Sequence, residues 1–497
     1  MKIKVSIKVA LWSALVMLFV ACADPQDRLY DGMEAQSLGK WMEKYHPELL
    51  NNKQTSGGYY VDILDAGDPA RPVNDTIYWV KLAFTGRDLK GNVCLTRDEL
   101  TARQIGSFTK YTHYVPFYRY CGEESANLLD GMHRALRNTL ELDADYAAAR
   151  DLPTEVVLGL GAEVVLYMPS SIVGGLSGSG GYEGQEAYSL SASRPLIVQM
   201  KVVDLIKNPL EYEGEEVDAF AAENGTLKPV EEKSEGTAST TRGAEEPQYN
   251  DGYAWRTAND TIPQLYINHT WRPTADRSKL LNYRNAYRST VAPYNDLATL
   301  DERINEALVE RFGEGTLEGD SVKLSGTAKI WYIGRFLDGF IFDTNIDEVK
   351  ELIYGKVESA GEVITITPES NGKNYVSSWY YCIPQLRYGQ WAAVVGTSTY
   401  NYGATGQEGE TITNTTTSGY DQSYYDMINY YNYMNSYYGN SYYGGYYGNY
   451  YDYYNYGYYD NFYYDNSNVT TTTTTTISTE IQSYTPLLFQ IYIEEKE

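Results

Sequence analysis

The sequence has few of the residues that build cross-links and metal sites. Four cysteines in 497 residues are too few for a disulfide scaffold. The four histidines lack the spacing of metal ligands, so we expect no metal site; they are His46, His113, His133 and His269. Basic residues are also in deficit, with 40 Lys and Arg against 66 Asp and Glu and a formal net charge of −26. Because such a chain repels phosphate backbones, we expect no nucleic-acid partner.

Long hydrophobic runs are absent outside the N-terminus. There, three lysines precede an apolar stretch at residues 9–20, which has the length of a signal peptide and is short for a membrane span. The stretch ends in "LFVAC", which resembles a bacterial lipobox with Cys22 as the acylated residue. We predict a lipoprotein signal peptide at residues 1–22, with the lipid on Cys22 as the membrane anchor. An ordinary secretory signal with an incidental cysteine is the alternative.

The rest of the chain predicts an α+β fold in which one arrangement occurs twice. Alternating strand patterns surround a short helical pattern in each half, which favours antiparallel sheets, each wrapped on a short helix. Between them lies an acidic stretch poor in large apolar residues, which we interpret as a partly disordered linker. The predicted segments are a helical tether at 23–57, a first domain at 58–206, the linker at 207–260 and a second domain at 261–497.

A low-complexity insertion interrupts the second repeat at residues 407–483. It contains "SYYGNSYYGGYYGNYYDYYNYGYYD" followed by a threonine run, and it draws heavily on the chain's 51 tyrosines. This composition does not support an ordinary core, so we expect a largely flexible loop. Self-association through stacked tyrosines, or a stacking surface for peptide or glycan, is the alternative.

Motifs in the second repeat resemble an FKBP-type peptidyl-prolyl isomerase domain. The strand pair "WYIGRFLDGFIFDTN" carries Tyr332, a turn at Asp338-Gly339 and the pair Phe342-Asp343. A Trp-led helix with Ile383-Pro384, the segment "YNYGATG" and an aromatic in the last strand follow in the family's order. The resemblance implies a dry aromatic pocket that binds a prolyl ring. Its residues would be Tyr332, Phe342, Asp343, Val376, Trp379, Tyr402 and Phe489.

The resemblance also implies the role of each residue. Trp379 would form the pocket floor and three aromatic side chains its walls, while the backbone of Val376 would hold the peptide. Asp343 and Tyr402 would supply polar contacts at the rim. A pocket of this kind favours the twisted amide, which is less polar than the planar ground state, and it requires no nucleophile, metal or cofactor. Taken singly, each aromatic is better explained as ordinary core; taken jointly, they favour a pocket.

The first repeat departs from the same pattern at most pocket positions. Its hairpin retains Phe84 and Gly86, but the pair Cys94-Leu95 stands in place of Phe-Asp. Aliphatic residues replace the other rings, namely Met132, Val173 and Val198. We interpret the first repeat as a non-catalytic FKBP-like domain. Cys94 and Cys121 could form a disulfide in an oxidising compartment or remain two thiols.

The resulting expectation is an envelope lipoprotein, lipid-anchored in the outer membrane, that isomerises X-Pro bonds of polypeptide clients. The rival is a non-catalytic lipoprotein that uses both repeats and the tyrosine-rich tract for binding or assembly. The sequence identifies neither the client nor the membrane face.

Overall fold

The computed structural model describes the chain from residue 37 onward, with gaps. The described residues are 37–73, 77, 79–122, 128–173, 195–231, 261–287, 296–355, 357, 360–371, 375–409, 411–418, 469–476 and 478–496. The predicted signal peptide with Cys22 and the tyrosine-rich part of the insertion lie outside these residues and stay predictions. In the part of the chain that the structure describes, no helix is long and apolar enough to cross a bilayer.

The N-terminal sheet is antiparallel, with the strand order β1-β9-β10-β3-β4 and β5 paired to β3. The elements of this half of the chain are helix α1 (residues 37–45), strands β1 (Tyr60–Asp65), β2 (Asp68–Pro72), β3 (Trp79–Arg87) and β4 (Val93–Thr96), helix α2 (Glu99–Ile105), β5 (Phe117–Tyr120), helix α3 (Asp130–Arg137), β6 (Leu140–Glu141), helix α4 (Ala144–Ala149), β7 (Glu155–Val156), β8 (Gly159–Leu160), β9 (Glu163–Met168) and β10 (Leu196–Ile206). Strands β2 and β8 form a separate two-stranded sheet, as do β6 and β7. The single helix expected here is therefore joined by the short helices α2 and α4.

The C-terminal sheet has the strand order β11-β12-β16-β19-β13-β14, with β15 paired to β13. Its elements are helix α5 (Pro209–Glu223), strands β11 (Lys228–Glu231) and β12 (Thr261–Asn268), helix α6 (Leu297–Phe312), β13 (Ala328–Phe336), β14 (Ile341–Thr344), helix α7 (Asp347–Tyr354), β15 (Ile364–Ile366), helices α8 (Pro368–Asn371) and α9 (Ser377–Cys382), β16 (Trp391–Gly396) and β19 (Leu487–Ile493). All its strand pairs are antiparallel.

The two sheets repeat one topology. Strands β12, β16, β19, β13 and β14 stand in the same order as β1, β9, β10, β3 and β4, and β15 pairs with β13 as β5 pairs with β3. The predicted internal repeat of antiparallel α+β sheets is confirmed at this level. The exact domain boundaries stay a prediction.

The sheets differ in how their faces are covered. In β3, buried and partly exposed residues alternate along "WVKLAFTGR", as in a sheet with one face on the core. In β19, every residue of "LLFQIYI" is buried. Separate apolar clusters occupy the two faces of the C-terminal sheet, one including α9 and the other α5, α6 and α7. The expectation of one short helix per sheet is therefore wrong for the second repeat.

The predicted acidic linker is also wrong for its first half. Residues Pro209–Glu223 form α5, which begins with Pro at its first turn, and Lys228–Glu231 form an edge strand. Val217, Phe220 and Ala221 lie at helical spacing on one face of α5. They pack into the apolar cluster that includes α6 and α7. The acidic composition concealed this stripe. Residues 232–260 lie outside the described residues.

The flanks of the insertion form a two-stranded ribbon of β17 (Thr411–Ser418) and β18 (Val469–Thr476). They belong to a separate compact unit, Thr411–Thr475. The expectation of a flexible loop is wrong for these flanks, because β-branched threonines favour extended backbone.

Candidate functional site

The predicted hairpin is the frame of the candidate site. Strand β13 turns at Asp338-Gly339 into β14, closed by hydrogen bonds from the Gly339 N–H to the Phe336 carbonyl and from the Phe336 N–H to the Phe340 carbonyl, both 2.9 Å. Gly339 has φ = +94°, a conformation that other residues rarely adopt. This part of the sequence prediction is confirmed.

A β-bulge places Phe342 on the face of the sheet that is covered by α9. Gly334 pairs with Asp343, but the next residue, Arg335, pairs with Ile341, so Phe342 is the extra residue. Its ring lies against the Gly334 backbone, where a Cβ on Gly334 would be 2.5 Å from the phenyl Cζ. Gly334 also pairs with Phe489 on the neighbouring strand β19. A missing side chain thus makes room for two rings.

Four of the predicted residues form what we call the ring cluster: Tyr332, Phe342, Trp379 and Phe489. Ring centroids of Trp379 lie 5.1 Å from Tyr332 and 5.3 Å from Phe489. Phe489 lies 5.8 Å from Phe342 and 6.2 Å from Tyr332. The contacts are edge-to-face or tilted, which is the geometry aromatic rings favour. Residues separated by up to 157 positions of sequence therefore lie together, and their role as a binding pocket stays a prediction.

Asp343 lies at the exposed edge of the cluster. The Tyr332 hydroxyl donates a hydrogen bond to its Oδ2, and the Thr344 N–H donates to its Oδ1 at 2.8 Å. Burial raises the pKa of Tyr332, and the Asp343 charge and hydrogen bond raise it further. Tyr332 is therefore a neutral donor at any physiological pH, and it ties the rim acid to the ring cluster.

Helix α9 carries Trp379 of the ring cluster. Val376 precedes the helix as its N-cap residue, and the Trp379 N–H donates to the Val376 carbonyl at 3.1 Å. The indole is 3% exposed, and its Nε1–H has no acceptor among the residues that the structure describes. Val376 itself is half-buried at the edge of the same apolar cluster. The arrangement therefore offers a bound peptide an unused donor beside an apolar floor.

Tyr402 lies on the segment between β16 and the insertion, which we call the rim loop (residues 397–406). It is partly buried and packs against the same apolar cluster as the four rings. Burial raises the pKa of Tyr402 to about 12, with a contribution from the Asp343 charge. All seven predicted residues are thus brought together, with Asp343, Val376 and Tyr402 at the rim.

The first repeat holds counterparts at the same sheet positions. Gly86 pairs with Leu95 and Arg87 with Val93, so Cys94 is the extra residue of an equivalent bulge. Val198 pairs with Gly86 as Phe489 pairs with Gly334. Together with the buried Met132, these residues belong to an ordinary apolar core. Cys94 and Cys121 are both thiols in the structure, and burial raises the pKa of the Cys121 thiol to about 11.

Contacts between the two sheets were not predicted from the sequence. His113 Nε2 lies 2.7 Å from Asp338 Oδ2, and the imidazole stacks on Phe336 at 4.5 Å. Tyr111 stacks on Tyr354 of α7 with ring centroids 4.3 Å apart. The first repeat therefore packs on the hairpin turn and on the helix after Asp343. No periodic signal marks a histidine as an interface residue.

A buried ion triad joins the N-terminal sheet to the base of the insertion. Arg97 and Arg119 donate to the two carboxylate oxygens of Glu480 at 3.1 and 2.8 Å. Gln407 and Ile481 exchange backbone hydrogen bonds at 2.8 Å beside it, which closes the base of the insertion. Burial alone would raise the pKa of Glu480, but the two guanidinium charges outweigh it and the pKa is lowered.

A cavity of about 410 Å³ lies between the sheets, but it does not coincide with the ring cluster. None of the seven predicted residues lines it. Phe336 lines this cavity and also contacts Phe342 of the ring cluster, with ring centroids 5.3 Å apart. The four rings themselves are only 2–9% exposed. The ring cluster has the more specific chemistry of the two, and its apolar surface is almost closed to solvent.

Within the described ranges, no three His, Cys, Asp or Glu side chains come close enough to hold a metal ion.

No family model matches the chain, and no curated protein matches its sequence. Among solved structures, it is similar to the three FKBP domains of wheat FKBP73, at 9% identity and a TM-score of 0.20, over 88% of this chain and 94% of that one. It is similar to FkpA from Escherichia coli at 11% identity and a TM-score of 0.23, over 41% and 73%. It is also similar to a peptidyl-prolyl cis-trans isomerase from Pseudomonas syringae, at 15% identity and a TM-score of 0.20, over 35% of this chain and 94% of that one. Scores this low carry no argument for a function, which must come from the geometry of the site.

Proposed function

We propose that the ring cluster binds a prolyl side chain and accelerates cis-trans isomerisation of X-Pro bonds in polypeptides. The observation that carries this proposal is the convergence of Tyr332, Phe342, Trp379 and Phe489 beside one rim carboxylate, Asp343. In the first repeat, Phe84 keeps a ring at the position of Tyr332, but the positions of Phe342, Trp379 and Phe489 hold Cys94, Met132 and Val198, which pack in the apolar core. The difference between the repeats favours a site over mere packing.

The physical basis is differential binding of the twisted amide. Resonance gives the peptide bond a rotation barrier of about 20 kcal/mol, so uncatalysed X-Pro isomerisation takes tens to hundreds of seconds. Twisting the bond removes this resonance and makes the amide less polar. An apolar cluster therefore stabilises the twisted form more than the planar one, which lowers the barrier. The Tyr332 hydroxyl and Asp343 would orient the peptide at the rim.

Access to the cluster requires movement at its rim. The rings are nearly closed to solvent, whereas Val376 and Tyr402 are partly exposed. A prolyl ring can enter only when the rim loop moves outward. If the open form is a minor population, apparent affinity falls by that fraction. We therefore expect modest affinity for short peptides.

The test is isomerisation of a proline-containing tetrapeptide by the full chain. Replacing Trp379 with Leu removes the floor of the cluster and should lower kcat/KM by about tenfold or more, equivalent to about 1.4 kcal/mol of lost transition-state stabilisation. The matched control is Met132→Leu, which changes the helix of the first repeat and should leave kcat/KM unchanged.

A parent protein that does not accelerate isomerisation would remove the enzymatic proposal. If that inactive protein still bound the tetrapeptide, the non-catalytic binding function would take its place. Equal losses in Trp379→Leu and Met132→Leu would show that general destabilisation, and not the ring cluster, controls the rate.

A further inference from the structure

A buried carboxylate on α5 contacts the rim loop. Glu213 is 1% exposed. Its Oε2 accepts the Ser398 N–H and its Oε1 accepts the Ser398 hydroxyl, both at 2.8 Å. The two residues are 185 positions apart and meet because α5 packs against β12 and β16. The contact therefore links α5 to the rim loop, which bears Tyr402.

Ser398 is the centre of the turn that leads to Tyr402. Its carbonyl accepts the N–H groups of Asn401 and Gly403, both at 2.8 Å. The Asn401 side chain extends the network: its Oδ1 accepts the Ser378 hydroxyl at 2.8 Å, directly before the tryptophan of the ring cluster. Glu213 thus holds one end of a hydrogen-bonded path that reaches the floor of the candidate site.

The surroundings of Glu213 disfavour a negative charge. Among the described residues, no lysine or arginine forms an ion pair with it. The titratable groups that face it are Glu216 on α5, Tyr118 of β5 and Tyr484 before β19. Burial raises the pKa of Glu213 to about 7, aided by the Glu216 charge and opposed by both Ser398 hydrogen bonds. The protonation state of this carboxyl therefore changes near neutral pH.

We propose that Glu213 is a proton-sensitive positioning residue that keeps the rim loop closed over the ring cluster when neutral and favours opening when ionised. The reason is that opening lets water reach the carboxylate and so relieves its desolvation. As pH rises from about 4.5 to about 7, the open form therefore gains relative to the closed form. The role in substrate access rests on the proposed isomerase function, but the loop movement itself does not.

Hydrogen exchange of the full chain tests this directly. The readout is the protection of the Tyr400, Asn401 and Gly403 amides, corrected for intrinsic exchange rates, between pH 5 and pH 8. In the parent, protection should fall by about 10- to 100-fold across this range. Glu213→Gln cannot ionise but still offers Ser398 an acceptor and a donor, so its protection should stay high and independent of pH.

Two further variants separate this role from simple packing. Glu215→Gln, an exposed change on the same helix, should behave as the parent does. Ser398→Ala removes a donor that favours the carboxylate, so the loss of protection should extend to higher pH. Parent protection that does not vary with pH, or an unchanged pH dependence in Glu213→Gln, would overturn the proposal.

Peptide turnover supplies the second readout. Parent kcat/KM should rise as pH increases to about 7 and then level off, because the loop opens over this range, while Glu213→Gln should give a flat profile. If exchange behaves as expected but the parent has no isomerase activity, the loop-holding role stands and the proposed function fails. If turnover occurs without any pH-dependent exchange, the proposed function stands and the role of Glu213 is wrong.

Discussion

At the scale of single residues, the candidate site depends on a position that has no side chain. Gly334 leaves the space in which the Phe342 ring lies, and Phe489 faces the same glycine from the neighbouring strand. The bulge at Phe342 completes the effect, since regular pairing would not crowd this ring onto Gly334. The bulge at Phe342 and the glycine at position 334 together fix where the two rings lie.

We predict that Gly334→Ala disrupts the ring cluster. The new Cβ would lie 2.5 Å from Phe342, so the ring must leave its position. Overpacking of this kind typically destabilises by about 1–3 kcal/mol, and kcat/KM should fall by about tenfold or more as the wall is displaced. Urea unfolding and tetrapeptide isomerisation measure the two effects.

The control for this substitution is Gly86→Ala in the first repeat. Its Cβ would meet the Leu95 Cβ at 3.2 Å, a tighter contact than usual but one that small shifts can relieve. It should change stability less and leave turnover unaffected. Full activity of Gly334→Ala with normal stability would show that the Phe342 wall is not required.

At the scale of elements, β13 carries different chemistry on its two faces. Tyr332 and Phe336 face the ring cluster, whereas Arg335 faces α6 and is 1% exposed. Its guanidinium pairs with Asp301 at 2.8 Å and donates to the Gly339 carbonyl at 3.0 Å. This buried pair fixes the hairpin turn to the outer layer of helices, and thereby fixes the strand that bears Tyr332.

We predict that Asp301→Ala destabilises the protein by about 3–5 kcal/mol, because it leaves the buried Arg335 charge without its partner. Glu306→Ala on the same helix removes an exposed ion pair with Arg303 and should cost about 0.5 kcal/mol or less. Denaturant unfolding of both variants provides the comparison. Similar losses in the two would indicate that helix formation, and not the buried pair, dominates the effect.

At the scale of the whole molecule, the first repeat has no counterpart of the ring cluster but contacts the second near its rim. The contacts include the stack of His113 on Phe336, the stack of Tyr111 on Tyr354, and the ion triad at Glu480. These contacts involve the hairpin turn, the helix after Asp343 and the base of the insertion. The first repeat is therefore suited to support the site structurally.

We predict that Glu480→Gln weakens this junction and does so in a pH-dependent way. The pKa of Glu480 is lower in the folded protein than its value of about 4.5 in the unfolded chain. The ionised carboxylate therefore stabilises the fold fully above pH 4.5, and this stabilisation is lost as pH falls through the pKa of the folded protein. The variant should therefore unfold at lower urea than the parent at pH 7, and the difference should shrink as pH falls below 4.5.

Glu495→Gln is the matched control, because Glu495 is exposed on the same C-terminal segment. It should match the parent at every pH. A parent–Glu480→Gln difference that stays constant from pH 7 to acid would contradict an ionic origin for the stabilisation.

Local pattern was sufficient where a residue's neighbours in sequence determine its structure. Period-2 alternation predicted β3, and Asp338-Gly339 predicted a tight turn. The seven residues that gather at the candidate site were identified through the resemblance of the motifs to an FKBP-type domain. The strand and the turn follow from backbone sterics and side-chain period, which the sequence states directly.

Only the tertiary structure decided what lies on the second face of the C-terminal sheet and what holds the rim of the site. Composition concealed α5 within an acidic stretch, because its three apolar side chains become significant only when a sheet is present to cover. The partners Glu213–Ser398 and Glu480–Arg97 are separated by 185 and 383 positions. Burial and long-range pairing depend on how the whole chain packs, and no local period encodes them.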